Sequence, residues 1–387
     1  MATSPTREDP TLQPFRVHVP DGTLTDMFDR LERTRYVPTL GTPDRPGGLG
    51  GERLRAFVER WLQFDWRAEE ARLNSVDQYT AEVNGHRLHF ARLRPRGHAT
   101  PTMPLLLLHG WPSAFTEYLP LAALLSAGDG TIAFDVIIPS LPGFVFSELP
   151  GATLTRREIA ADLHALMADV LGFEKYGAFG GDIGGGAAMW LGVDHPDALI
   201  GLQLIHAPIP AGDTPLDDHE RAYLDTVDAY DRRDSGYSEI MLTRPDTIAA
   251  ALADSPAGLL AWIADKWFDW VDGALGEVID DSVLFGIATL YWATGTIGSS
   301  FRQYFDWDEN PPRPAITAPV GVLLSQEPAM RGFPRSLAER AATDLRQFDH
   351  APAGGHFLGI EQPTIAAAAI RSFFTALHSA EALPPTT

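Results

Sequence analysis

A length of 387 residues exceeds what one minimal core needs, and a hydrophobic share of 45% is that of an ordinary globular protein, so one large domain with additions, or two domains, is expected. The 51 acidic and 30 basic residues leave a formal charge of −21, with no basic run dense enough to neutralise a phosphate backbone, which excludes nucleic acid as an expected partner. Cysteine is absent, so disulfides, thiolate nucleophiles and cysteine-ligated metals are excluded together. The polar start MATSPTREDP has no signal-peptide character, and apolar runs such as Leu105 to Leu108 are too short for a bilayer; the expectation is a cytoplasmic protein without membrane contact. Lysine occurs only at Lys175 and Lys266 beside abundant arginine, the bias of a GC-rich bacterial genome.

Residues 1–75 read as a helical, aromatic-rich extension, with helix spacing in 24-LTDMFDRLERTRY-36 and 54-LRAFVERWLQFDWRAEEARL-73 and a Pro/Gly-rich loop at 41–51. From Val76 the pattern changes. The run 79–93 reads as a hairpin turning at Asn84-Gly85. Unbroken apolar strands follow at 103–111 and 132–144, of the kind buried on both faces of a parallel sheet. An amphipathic helix at 155–173 opens with Thr155 and Glu158 in capping-box spacing. A strand at 175–181, a helical segment at 184–195 and a strand at 199–207 complete the first part of an α/β core, 76–207.

Between 208 and 314 the strand signal disappears, and aromatic-rich helical segments suggest a lid inserted over a pocket. The core resumes over 315–387, with strands at 319–325 and 345–350 and a helix at 364–377. The expected fold is therefore α/β with a mostly parallel central sheet flanked by helices, whose ligands bind outside the carboxyl ends of the strands.

Three segments carry chemistry. In 177-GAFGGDIGGG-186, Asp182 follows a strand and precedes a helix, the context of a nucleophile elbow with aspartate in the serine position. Glycines permit the sharp turn, and the helix N-terminus favours an anion; a Gly-rich phosphate loop fits less well, for the Walker lysine and the G-x-G-x-x-G frame are both missing. In 109-HGWPS-113, a turn after a buried strand can aim the N–H of Trp111 at the point served by the N–H of Ile183, two donors of an oxyanion hole. In 353-AGGHFLGIEQP-363, His356 lies on a Gly-flanked loop after the last strand, matching the chain order nucleophile, acid, histidine. Glu327, at the end of a strand, is the expected acid; Asp344 precedes its strand and Asp349 sits within or at the end of one, so both are weaker rivals.

Together these motifs resemble the epoxide hydrolases of the α/β-hydrolase superfamily, specifically the microsomal-type branch with an N-terminal extension that wraps the core. The segments 234-DSGYSEIMLTRPDTIAAALADSPAGLLAWI-263 and 291-YWATGTIGSSFRQYF-305 are very similar to family segments. The resemblance implies that Tyr237 and Tyr304 are paired lid tyrosines that hydrogen-bond the epoxide oxygen. It implies an ester on Asp182, hydrolysed by a water that His356 activates, with no metal or organic cofactor, and a vicinal diol as product. Trp111, Pro112, Ile183 and Phe357 are expected to line the substrate pocket. Ile183 stands where the family often has an aromatic residue, and the acid loop SQEPAM departs from the common family pattern. The lid tryptophans suggest a bulky apolar or aromatic epoxide, for detoxification or bacterial secondary metabolism; monomer and homodimer are both compatible. A haloalkane dehalogenase shares the aspartate nucleophile but has no need of two lid tyrosines, and a non-catalytic binder on the same scaffold has no need of the full set.

Overall fold

A computed structural model describes residues 12–42, 47–95, 101–151, 153–210 and 215–381. Its centre is a nine-stranded sheet built from β1 (Gln13–Phe15), β2 (Asp77–Val83), β3 (His86–Leu93), β4 (Thr102–Leu108), β5 (Ala133–Pro139), β6 (Tyr176–Gly180), β7 (Leu199–Leu204), β8 (Val320–Leu324) and β9 (Leu345–His350). The order across the sheet is β1-β2-β3-β5-β4-β6-β7-β8-β9. The pairs from β1 to β5 are antiparallel and those from β5 to β9 are parallel. The apolar runs of β4, β5 and β6 are buried almost throughout, as strands covered on both faces must be. This is the α/β arrangement with a mostly parallel central sheet that the sequence pattern implied.

Strand order reverses at β4, which β5 flanks on one side and β6 on the other. A crevice opens outside the carboxyl ends of strands at such a switch point. The turns after β4 and β6 carry Trp111 and Asp182, so the topology alone brings those two residues together.

Local chemistry sets most boundaries. The hairpin turns at Asn84 (φ 48°) and Gly85 (φ 87°), two left-handed residues in succession, the turn whose twist suits paired strands. The helix Arg156–Ala165 starts in a complete Thr155/Glu158 capping box, then loosens into a π-helical stretch, Leu166–Val170, that the periodicity did not reveal. The single helix expected over 54–73 is two, Gly51–Trp61 and Trp66–Leu73, because the Asp65 side chain accepts from the N–H of Ala68 and restarts the helix. The extension also contributes β1, which at three residues is too short to display an alternation.

Between β7 and β8 run the helices Asp218–Asp234, Gly236–Thr243, Pro245–Asp254, Pro256–Trp270, Asp281–Thr294 and Arg302–Phe305, which roof the carboxyl ends of the strands. The N-terminal helices pack on this roof. Trp61 Nε1 donates to Thr289 Oγ1 at 3.1 Å in the buried interface, Phe57 meets Phe268 and Phe285 edge-on, and Arg60 Nε donates to Asp281 at 2.7 Å. Arg30 adds bonds to the carbonyl and carboxylate of Asp254, each 2.8 Å. Among the described residues, no helix is long and apolar enough to cross a membrane.

Candidate active site

β6 ends at Gly180, Gly181 caps the next helix, and Asp182 opens it with φ +51°. A left-handed conformation costs a non-glycine residue about 1–3 kcal/mol and persists only where its surroundings enforce it. Two close approaches do the enforcing. A Cβ on Gly184 would stand 2.1 Å from the carbonyl oxygen of Leu108, and one on Gly110 would stand 2.4 Å from Asp182 Cβ and Oδ1. The glycines thus let the turns after β4 and β6 touch, with the carboxylate between them.

The contact is specific. Trp111 N–H donates to Asp182 Oδ1 at 2.9 Å, which leaves the second carboxylate oxygen to face the cavity. Ile183, 2% exposed, follows in the first helical turn, where backbone N–H groups lack intrahelical partners. The Asp182 N–H donates to His206 Nδ1 at 2.6 Å, so that histidine carries its proton on Nε2.

His206 Nε2 in turn lies 3.3 Å from Glu327 Oε2, and His356 Nδ1 lies 3.0 Å from the same oxygen. Glu327 is buried, which opposes its charge, but His356 and His206 hold it well below the usual carboxylate range. For His356, burial again opposes the charged form; Glu327, with Asp182 and Glu117, outweighs it and pushes the imidazole up to about 9. The rivals lie elsewhere: Asp344 pairs with Arg346 and Asp349 accepts from Gln347. His206, Glu327 and His356 bring one ligand atom each within 4.8 Å, which is also a donor set for a metal ion. One nitrogen of each imidazole faces the carboxylate, His356 Nδ1 at hydrogen-bond distance and His206 Nε2 at 3.3 Å, so the three can also work as a proton-carrying cluster. Sequence reasoning missed His206, because a histidine at the end of a strand carries no local signature.

The roof contributes Tyr237 and Tyr304. Tyr237 stacks on Trp111 at 5.4 Å with planes 10° apart, and Tyr304 meets the same indole edge-on at 5.8 Å. Their rings meet edge-on at 6.1 Å, and burial with the nearby Asp182 charge raises both phenols, which keeps them protonated. Tyr237 is held by a buried ion pair: Lys266 meets Asp234, Trp270 Nε1 donates to Asp234 Oδ2 at 3.1 Å, and the ammonium lies 5.0 Å over the Tyr237 ring. Removing one partner strands a buried charge at a cost of about 3–5 kcal/mol. Lys266→Met is therefore expected to lower the denaturation midpoint markedly and to reduce turnover, whereas the double variant Lys266→Met/Asp234→Leu recovers part of the stability, as equilibrium denaturation will show.

Asp182, His356, Tyr237 and Tyr304 all border one cavity of about 670 Å³, within the range of small-molecule sites. Tyr223, Tyr230, Trp270 and Trp307 give it an aromatic lining, and Asp228, Asp231, Asp234 and Glu239 an acidic rim. Of the residues expected to form the pocket wall, Trp111, Pro112 and Ile183 are not among those bordering this cavity, and Phe357 borders a smaller one beside Asp182 and His356. Trp111 is covered by the two tyrosines, the Pro112 carbonyl accepts from Trp267, Ile183 is buried beneath the turn, and Phe357 stacks on Trp267 at 4.0 Å. A second cavity, about 10 Å³ and so the size of one water, lies among Gly110, Ser113, Glu117, Asp182, His206 and His356. Burial pushes the Glu117 carboxyl up to about 7, against the charge of His356.

Comparison with known proteins identifies the family and the fold. Residues 12–118 match the family described as epoxide hydrolase N terminus, and residues 103–253 the alpha/beta hydrolase fold. A putative epoxide hydrolase of Stigmatella aurantiaca is 34% identical, over 95% of this chain and 86% of that protein. The solved epoxide hydrolase of Aspergillus niger superposes with a TM-score of 0.81 at 30% identity, covering 98% of this chain and 99% of its own. The juvenile hormone epoxide hydrolase of the silkworm Bombyx mori shares the fold with a TM-score of 0.85 at 24% identity, covering 97% of this chain and 96% of its own.

Proposed function

The chain belongs to the epoxide hydrolases of the α/β-hydrolase fold that carry an N-terminal extension, and from that premise we propose that it opens a bulky, aromatic or apolar epoxide through an ester on Asp182. The observation that carries the reading is the Trp111 N–H bonded to Asp182 Oδ1. It holds one carboxylate oxygen in the oxyanion site and leaves the other to attack an epoxide carbon from the cavity. The C–O bond breaks, its electron pair goes to the ring oxygen, and Tyr237 or Tyr304 supplies the proton.

The ester is then hydrolysed from the opposite side. The one-water cavity borders both Asp182 and His356, so a water there can lose a proton to His356 and add to the Asp182 carbonyl carbon. The oxyanion develops on the oxygen that Trp111 N–H already holds, with the Ile183 N–H as second donor. Collapse returns the carboxylate and releases a vicinal diol.

Charge links the halves. Asp182 is one of the groups that hold His356 protonated, and ester formation removes that charge. The imidazole thereby holds its proton less tightly, so more of it is neutral and able to accept from water when a base is needed, and the proton it sheds restores the tyrosine. Because protonated His356 cannot accept from water, ester hydrolysis is expected to quicken as pH rises and to level off at an inflection below 9, which single-turnover decay rates from pH 5 to 10 will measure.

The test is a single turnover in ¹⁸O water with enzyme in excess, followed by mass analysis of the peptide that carries Asp182. Label in that carboxylate is expected; label confined to the diol means direct attack by water and ends the proposal.

A further inference from the structure

Arg156 borders the same cavity as Asp182 and Tyr304. Its Nε is buried without a hydrogen-bond partner, and among the described residues no carboxylate pairs with its guanidinium. Its one contact of note is the Trp307 ring, 4.5 Å from the guanidinium carbon. A second cation adds to the imbalance: burial and the charge of Arg156 push the Arg313 guanidinium down to about 10.

The seat of Arg156 is specific. Gly186 lies one turn beyond Asp182, on the same face of the helix that Asp182 begins. A Cβ there would stand 2.4 Å from Arg156 Cδ and 2.7 Å from Nε. The side chain therefore lies flat across a glycine, near the positive end of a helix dipole, where a cation is disfavoured. A desolvated charge at the wrong end of a helix, with no partner, needs a negative group to justify it. Asp182 supplies part of that field in the resting enzyme, and Tyr304 is the other group whose charge Arg156 senses.

We infer that Arg156 is a positioning charge for ring opening: it acts through Tyr304, favouring transfer of the phenolic proton to the departing epoxide oxygen. The inference rests on the covalent reading above. As Asp182 forms the C–O bond to the substrate, the ring C–O bond breaks and the oxygen takes the Tyr304 proton. The phenolate left behind faces the guanidinium until the proton shed by His356 restores it. Ester hydrolysis makes no such demand on Tyr304, so Arg156 serves the first half-reaction alone.

The experiment is stopped flow under single-turnover conditions with styrene oxide, an uncharged probe, following tryptophan fluorescence through ester formation and decay. Arg156→Gln is expected to slow ester formation about tenfold or more and to leave ester decay unchanged, with Arg156→Lys restoring most of the rate. In a Tyr304→Phe background the same substitution adds little further loss. Gly186→Ala displaces the guanidinium without removing it and is compatible with a helix, so it tests the idea even if Arg156→Gln fails to fold; it should slow the same step. Unchanged ester formation, a loss confined to decay, equal loss in the Gln and Lys variants, or full additivity with Tyr304→Phe each overturns the inference. Absence of any ester in the parent enzyme would instead overturn the covalent reading itself.

Discussion

Asp182→Asn will form no ester and will turn over an epoxide more slowly by on the order of 10⁴-fold or more, the scale seen when a covalent nucleophile is lost. An amide has no charged oxygen to displace the ring oxygen, although it keeps the carbonyl that accepts from Trp111 N–H, so the fold should survive. Amide side chains beside an activated water can revert to the acid, and intact mass must confirm that the amide persists. Diol formation at the parental rate by a variant so verified would falsify the role assigned to this carboxylate. Binding of the diol, measured by calorimetry, should remain within a few fold, because the cavity walls are untouched.

His356→Gln separates the two halves of the reaction. Asp182 and both tyrosines remain, so one equivalent of epoxide should react quickly and then stop, leaving the enzyme heavier by the mass of the substrate. Steady-state turnover falls by roughly 10²–10⁴-fold, the usual worth of a general base. Glu327, bridged to both His356 and His206, loses one of the two partners that keep it ionised, so part of the loss reflects a less polar relay. If the variant neither turns over nor gains mass, ring opening also depends on His356 and the division of labour proposed here is wrong.

The sheet, the elbow and the histidine loop were legible in the sequence because each depends on local chemistry: unbroken apolar strands, glycines around Asp182, glycines before His356. Glu327 could be chosen over Asp344 and Asp349 from its place at the end of a strand, and its 3.0 Å contact with His356 is the geometry that choice required. The tyrosines were reachable only through likeness to family segments, since nothing in the residues near Tyr237 or Tyr304 distinguishes a proton donor from a packed aromatic. His206, Glu117 and Arg156 could not be reached at all. Each acquires its meaning from partners distant in the chain: His206 from Glu327, Glu117 from His356, Arg156 from Gly186 and Tyr304. The position of the pocket wall depends on distant partners in the same way. Neighbours in sequence of Trp111 and Asp182 were expected to face substrate, whereas the roof helices supply the lining and press those neighbours inward.

The leading segment of the chain grips the helices Pro256–Trp270 and Asp281–Thr294 through Phe57, Trp61 and Arg60. The first of these ends in Trp270, whose carbonyl accepts from the His356 backbone N–H at 2.8 Å and whose ring rests against the imidazole. A ceiling strapped down in this way cannot swing up as one piece without loosening the histidine beneath it. The acidic flank made by Asp218–Asp234 and Gly236–Thr243 also borders the cavity but takes no part in these particular contacts, so larger rings are best accommodated by substitutions on that side.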